Sequence, residues 1–373
     1  MRILLTGVRA PVAMDLVAAL SAGGHQVWGI DSLPRPVVGP YLNGFYLCAS
    51  PRFMPDAFLR DICAAVEAVQ PDIIIPLCED VFYWAKASEA HGWPLFATDL
   101  ATLMRLHSKY AFVGVAAKYG LKVPKTVRFQ AGWVGERGQD HVFKPEYSRF
   151  GAKLHIRPLQ VPDLTSEPTN PWLRQDWVAG EDISTFVVAH EGRITAFSAY
   201  RSGWRMPGGV SYYFDPLEPE LMTTLEGLMG QLVAGLGFTG QLGCDLRHDP
   251  DGQLWFIEAN PRATSGLHLL AHDPEALSAA YTDKAAPLLR TSPQAACVGP
   301  VMYLSGWPQA LRNGRVALWQ ADMRRARDVT GRGALRLMTR GAGLMAQAVV
   351  RGMPLAQFLT VDIECNHDLS GSV

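Results

Sequence analysis

Gln241-Leu-Gly-Cys-Asp245-Leu-Arg-His-Asp-Pro-Asp-Gly-Gln253-Leu-Trp-Phe-Ile-Glu258-Ala-Asn260-Pro-Arg262 consists of two apolar runs around a turn signal. The pattern predicts an antiparallel β-hairpin. Glu258 and Asn260 are two apart on one strand, so they share a face. Where Asp245 falls depends on the loop. A two-residue loop at Asp251-Gly252 sets it directly opposite Glu258. A four-residue loop over 249–252 sets it opposite Phe256, diagonal to Glu258 and on the same side. A three-residue loop would split the two acids between faces. In either of the first two registers three oxygen-bearing side chains converge. Neighbouring carboxylates repel unless a proton or cation lies between them. The strand Leu254-Trp255-Phe256-Ile257 is too apolar for a solvated acidic face, so the acids at its end predict a lined cleft. Mg²⁺ prefers oxygen and is typically held by one or two carboxylates plus nucleotide phosphates. Asp245, Glu258 and Asn260 are therefore its candidate ligands.

Two segments upstream suit a nucleotide. Val142-Phe143-Lys144-Pro145 ends a short strand, and Ser148-Arg149-Phe150-Gly151 follows. An ammonium before a small Gly-containing turn neutralises phosphate charge, and the turn brings backbone N–H groups close. Arg174-Gln175-Asp176-Trp177-Val178-Ala-Gly180-Glu181-Asp182-Ile-Ser184 reads as strand, Gly break, strand. Extended backbone there offers N–H and C=O to an adenine edge, and Asp182 can accept from ribose hydroxyls.

Around these lie two architectures. Arg2–Thr6, His25–Asp31, Ile73–Ile75 and Leu95–Thr98 read as strands, with helices over Pro11–Ala22 and Asp56–Gln70. This alternation predicts a doubly wound parallel sheet over residues 1–107. From Ser108 the pattern becomes α+β: a helix to Tyr119, strands near 141–144, 152–157, 173–178 and 183–190, a turn at Glu191-Gly192, a return strand to Tyr200, and a helix over Leu221–Gly235. Residues 291–373 read as a mainly helical cap with a long helix near Arg332–Gly352. Between 301 and 351 nine Arg residues face only Asp322 and Asp328, a solvated helical cap or a basic surface for a membrane or partner.

Taken in order, VFKP, RQDWVAGEDIS, GQLGCDLR and FIEANPRATSGLH resemble the ATP-grasp family. The resemblance spans 108–290, with a hinge near 174–182, and residues 1–107 resemble the Rossmann-like pre-ATP-grasp domain. It implies α/β and α+β architecture: a parallel sheet, a two-subdomain ATP-grasp fold and a helical C-terminal segment. It also implies roles. Lys109 and Lys144 approach phosphates, and Ser148 to Gly151 form the loop over them. Asp176, Trp177 and Val178 read adenine with Gln175 nearby, and Asp182 holds ribose. Asp245, Glu258 and Asn260 hold one or two Mg²⁺, Mn²⁺ being an alternative. Arg262 and Lys144 serve phosphoryl transfer. Two departures stand out: the phosphate loop is short and carries Arg149 and Phe150, and Asp176 and Asp182 stand where Glu is common.

The second substrate is expected from the first domain, because open α/β sheets bind ligands at the carboxyl ends of their strands. Arg9, in Thr6-Gly7-Val8-Arg9-Ala10-Pro11, suits a carboxylate. Glu79 and Asp80, in PLCED, suit an amine. Arg205, Ser265, Gly266 and His268 complete the substrate candidates. The Thr6–Pro11 loop is not GxGxxG, which argues against a dinucleotide there, and GxxxxGK[ST] is absent, which argues against a P-loop.

The 373 residues carry 34 Lys+Arg against 35 Asp+Glu, a balance that offers no footprint for nucleic acid. Six Cys without a CxxC pair speak against structural zinc. The chain is expected to be cytoplasmic, with neither a signal peptide nor a span, and a homodimer is the default oligomer. The reading is an ADP-forming carbon–nitrogen ligase that activates a small carboxylate as an acyl phosphate and joins it to an amine. The alternatives are an intramolecular ligase or carboxylase-like enzyme on the same chemistry, and a nucleotide-binding regulator without turnover.

Overall fold

Ile3-Leu4-Leu5 and Ile73-Ile74-Ile75 are apolar on both sides, as strands covered by helices on both faces must be. The computed structural model describes residues 1–370 except 35, 130–137, 150–152, 166, 207–208, 332–338, 340–342 and 346. In it β1 (Arg2–Thr6), β2 (Gln26–Asp31), β3 (Gly44–Leu47) and β4 (Ile73–Pro76) form a parallel sheet in the order β3-β2-β1-β4. Helices α1 (Ala13–Ala22), α2 (Pro55–Val69) and α3 (Val81–His91) accompany it, and α4 (Leu100–His107) and α5 (Lys109–Lys118) lead onward. The run Leu95–Thr98, expected as a strand, makes a single bridge from Leu95 to Ile74. Pro94 ahead of it has no N–H for a ladder, and the fourth strand is β3 instead.

A small antiparallel sheet follows, from β5 (Thr126–Arg128), β6 (His141–Pro145), β7 (His155–Ile156) and β8 (Trp172–Asp176), ordered β5-β8-β6-β7. The large sheet is built from β9 (Glu181–His190), β10 (Arg193–Arg201), β11 (Tyr213–Pro216), β12 (Gly240–His248) and β13 (Leu254–Asn260), with α6 (Pro219–Leu236) and α7 (Pro274–Thr282). The short β14 (Leu289–Arg290), β15 (Ala296–Cys297) and β16 (Arg327–Asp328) join it. Its order is β13-β12-β9-β10-β11-β15-β16, with β14 beside β10. The β9–β10 turn puts both Glu191 and Gly192 at positive φ, the backbone that matches strand twist in a tight hairpin.

Alternation along β9 splits the core. Val187 packs with Phe197, Leu225, Met229 and Phe256 on the α5/α6 side. Phe186 and Val188 pack with Leu16, Leu267 and Tyr281 on the α1/α7 side. The large sheet therefore shares a core with the first domain.

The C-terminal segment is less purely helical than expected, since β15 and β16 belong to the large sheet. Helices Trp307–Arg312 and Val316–Arg325 lie between them. Much of the expected helix Arg332–Gly352 lies outside the described residues, although 343–345 and 347–350 are helical. Asp322 turns inward to accept from Trp204 Nε1 at 2.8 Å. Among the described residues no helix is long and apolar enough to cross a membrane.

Between β8 and β9 the chain bends at Gly180, whose φ is +128°. A Cβ there would stand 2.1 Å from the His248 carbonyl oxygen. Gly180→Ala is expected to destabilise by about 1–3 kcal/mol, read as a lower urea midpoint. An unchanged midpoint would mean the bend relaxes freely.

Candidate active site

The β12–β13 loop has the parity that ought to separate the acids. Asp249 donates its N–H to the Gln253 carbonyl at 2.9 Å, leaving a three-residue loop of Pro250, Asp251 and Gly252. His248 then pairs with Leu254, Arg247 with Trp255 and Leu246 with Phe256. At the next step the register shifts, and Asp245 pairs with Glu258. Ile257 is the extra residue of a β-bulge, and one extra residue resets which face each later side chain takes. Cys244 and Ala259 turn into the core, and Asp245, Glu258 and Asn260 share the opposite face.

That face is densely bonded. Ser184, opposite Asp245 on β9, donates to Asp245 Oδ1 at 2.6 Å. Asn260 Nδ2 donates to Asp245 Oδ2 at 3.0 Å, and Arg262 Nη2 donates to Asn260 Oδ1 at 3.0 Å. Lys144, near the end of β6, brings Nζ to 3.5 Å from Glu258 Oε2, and Lys109, opening α5, to 3.8 Å. Lys109 also donates to the Ser148 carbonyl at 2.9 Å. Ser108 caps α5 by accepting the Ala111 N–H at 3.0 Å, which fixes where Lys109 starts.

Electrostatics divides the two acids. Burial and the neighbouring Glu258 raise the Asp245 carboxyl above its ordinary value. Burial pushes Glu258 the same way, but Lys109 and Lys144 outweigh it and hold Glu258 below the ordinary value. Burial lowers the Lys144 ammonium to about 8, against the pull of Glu258. Burial, with Arg149 nearby, lowers Arg262 to about 10. Cations and acids packed this closely form a site that gains by receiving a polyanion together with a divalent ion. Among the described residues no three His, Cys, Asp or Glu converge as a metal site. The available set is two carboxylates and an amide, all oxygen donors, which suits a hard ion that keeps other ligands from phosphate and water.

The predicted adenine and ribose residues line the bend between β8 and β9. Gln175 is buried and donates to Thr126 Oγ1 at 2.9 Å. The amides of Asp176 and Trp177 are given to the carbonyls of Lys125 and Asp140. The Trp177 ring lies under the Arg247 guanidinium, 4.4 Å from its centroid. Asp182 accepts from Arg205 at 2.7 Å and pairs with Arg247 at 3.1 Å. Arg205 thus stands beside Asp182 at the bend. Gly151 lies outside the described residues.

A family profile described as an ATP-grasp domain matches residues 106–266. Residues 106–266 are an ATP-grasp domain. N5-carboxyaminoimidazole synthetase from Staphylococcus aureus, complexed with ADP, superposes with a TM-score of 0.64 at 11% identity, covering 83% of this chain and 86% of that one. Biotin carboxylase from Campylobacter jejuni gives 0.60 at 12% identity, covering 79% and 75%. An L-amino acid ligase from Bacillus licheniformis gives 0.55 at 14% identity, covering 75% and 74%. Identities this low carry the fold alone. Among curated proteins, none matches this chain.

Outside the ATP-grasp domain, the first-domain candidates are engaged by the chain itself. The Arg9 guanidinium pairs with Asp31 and grips Asp362, with Nη1 to Oδ1 at 2.6 Å and Nη2 to Oδ2 at 3.0 Å. It clamps the C-terminal segment, a correction to its reading as an open carboxylate anchor. His268 Nδ1 lies 2.7 Å from Asp15 Oδ2, its ring stacked on Phe214, away from the acids. Glu79 is buried between Arg149, Arg262 and the Cys365 N–H. Ser265 lies beside the Tyr200 hydroxyl, which also meets Ser184. Gly266 passes where a Cβ would stand 2.5 Å from Phe186 Cβ, so it serves close packing. Ser184, Tyr200 and Cys365 escaped sequence reasoning. Ser184 becomes visible only once β9 is known to lie beside β12.

Asp80, also at the end of β4, is pushed up to about 6, chiefly by burial. Its folded value lies above its unfolded one, so it contributes stability at low pH that is lost as pH rises to about 6. Asp80→Asn is expected to be more stable than the parent at pH 8, by up to about 3 kcal/mol, with the gap closing near pH 4. A pH-independent gap in urea unfolding would contradict this.

Proposed function

We propose that this protein is an ATP-dependent ligase that activates a small carboxylate as an acyl phosphate and joins it to an amine, releasing ADP and phosphate. The observation that carries the reading is the facing pair Asp245 and Glu258, with Asn260 bonded to Asp245, Arg262 bonded to Asn260, and Lys144 and Lys109 beside Glu258. The ATP-grasp match over these residues supports it, as does the fold shared with a carboxylase, a carboxyaminoimidazole synthetase and an amino acid ligase.

In this reading Lys109 and Lys144 neutralise phosphate oxygens, and Ser148 and Gly151 belong to the loop over them. Val178, beside Asp176 and Trp177, takes the base. Asp182 takes the ribose, which requires it to share or exchange its contacts with Arg205 and Arg247. Asp245, Glu258 and Asn260 would hold one or two Mg²⁺, which when bound supply charge neutralisation of the phosphates. A carboxylate oxygen attacks the γ-phosphorus and ADP leaves. Arg262 stabilises the charge on the moving phosphoryl group, so the chain's part is positioning and neutralisation. The amine nitrogen then attacks the acyl carbon, gives up a proton, and phosphate leaves with the bonding pair. Ser265, three residues past Arg262 in the chain and beside the Tyr200 hydroxyl, is where the acid would lie.

Calorimetric titration with ATP, with and without Mg²⁺, tests the first half. Tight uptake only with Mg²⁺ is expected, and no uptake in either condition defeats the reading. ADP release across a panel of acids and amines tests the second half. Release with bicarbonate alone favours the carboxylase-like alternative, and binding without release favours a regulator.

A further inference from the structure

Residues 359–365 run across the carboxyl ends of β1, β2 and β4, where an open parallel sheet usually takes its ligand. Arg9 donates to the Leu359 carbonyl at 2.9 Å at the start of this stretch and grips Asp362 at its middle. Arg52 donates to the Val361 carbonyl at 3.0 Å, the Tyr83 hydroxyl to the Glu364 carbonyl at 2.9 Å, and His107 Nε2 meets the Cys365 carbonyl at 2.8 Å. These contacts fix the direction of the Cys365 N–H, which donates to Glu79 Oε2 at 3.3 Å. The other Glu79 oxygen meets Arg149 Nε at 2.9 Å and Arg262 Nε at 3.7 Å. Arg262 bonds Asn260, and Asn260 bonds Asp245. An unbroken polar chain thus links the C-terminal segment to the paired acids.

Two buried guanidiniums this close repel, and one carboxylate between them lets both persist. A carboxylate also fixes where a guanidinium points, because its donors form a planar fork. Arg149 belongs to the loop expected over the phosphates and Arg262 to the strand end beside the acids, so Glu79 aligns two cations from different sheets. We propose that Glu79 is a positioning residue that aims Arg262 and Arg149 at the terminal phosphate of the nucleotide, and that segment 359–365 holds Glu79 in place through the Cys365 N–H. The proposal rests on the ATP reading above. A segment that only stabilised the fold would not distinguish one nucleotide from another. A positioning segment acts on the phosphate that ATP has and ADP lacks.

The test is calorimetric titration of the full chain with Mg²⁺-ADP and with the Mg²⁺ complex of the β,γ-imido analogue of ATP. Glu79→Gln is expected to weaken the analogue about tenfold or more, the scale of a lost charge-assisted contact, and to leave ADP within about threefold. Glu79→Asp, which restores the charge, recovers part of the loss. Asp362→Asn, which loosens the segment at its middle, weakens the analogue in the same sense but less. Should Glu79→Gln not fold, the other two variants carry the comparison. Equal loss for both nucleotides, or no loss for either, overturns the positioning role. An unchanged analogue affinity in Asp362→Asn overturns the part assigned to the segment. A parent that binds neither nucleotide defeats the ATP reading itself, whereas a parent that binds both while the variants fail to discriminate defeats only this inference.

Discussion

Glu258→Gln is expected to fold normally and to form ADP about 10²–10³ times more slowly than the parent, the scale of losing one preorganised charged contact in a transition state. The change is nearly isosteric, so packing on β13 is preserved. What it removes is the charge that Lys109 and Lys144 hold ionised and that pairs across the ribbon with Asp245. Loss of Glu258 also relieves Asp245, whose carboxyl is raised by burial and by that neighbour, so it should return toward its ordinary value. The variant therefore exchanges one strain for another, two lysines left short of a partner against an acid pair no longer repelling, and the net effect on stability is small. ADP formation at saturating Mg²⁺, with circular dichroism as the control for folding, checks it. Near-parental turnover in a folded Glu258→Gln protein would remove this glutamate from the proposed chemistry.

Arg9→Leu is expected to destabilise the fold by about 3–5 kcal/mol, because breaking a buried ion network strands its remaining charges. Arg9 is the cation between Asp31 and Asp362, and its side chain is only 8% exposed. Ser32 donates to Asp362 at 2.6 Å but cannot balance a second acid. The pH dependence carries the sign. Burial would raise the Asp362 carboxyl, yet Arg9 overrides it and holds it below the ordinary range. In the parent this acid contributes stability that is present above its unfolded pKa and lost as pH falls through the folded one. Without Arg9 the Asp362 carboxyl loses the cation that holds it down and shifts upward, so acid favours the folded variant. The gap between parent and variant in urea unfolding should therefore narrow from pH 7 toward pH 4. A gap that is small at neutral pH, or one that widens in acid, would show that Arg9 is dispensable to the C-terminal clamp.

How far the site was legible is clearest at the hairpin. The spacing of Glu258 and Asn260 placed them on one face whatever the turn, because strand period is two. The relation of Asp245 to them depended on loop length, and the observed loop is the three-residue form that argues against convergence. The bulge at Ile257 reverses that outcome. A bulge adds one residue without changing the composition of an apolar run, so alternation counted along the chain cannot reveal it. Arg9 shows the opposite failure. As a loop residue at a strand end it had the chemistry of a carboxylate anchor. Besides Asp31, the carboxylate it holds belongs to Asp362, 353 positions away, and no local pattern reports such a partner.

Sequence by itself determined the order of architectures, parallel sheet then antiparallel sheets, because apolar runs and their period record which faces must be covered. It also determined the residue types of the site, since carboxylates, an amide and lysines at strand ends have few inexpensive explanations in an apolar setting. Tertiary structure alone decided which of these groups meet. Lys144 comes from the small sheet, Lys109 from a helix start, Glu258 from the large sheet and Glu79 from the first domain. Their approach to within hydrogen-bond or ion-pair distance is set by how the layers pack, and packing depends on contacts between residues far apart in the chain.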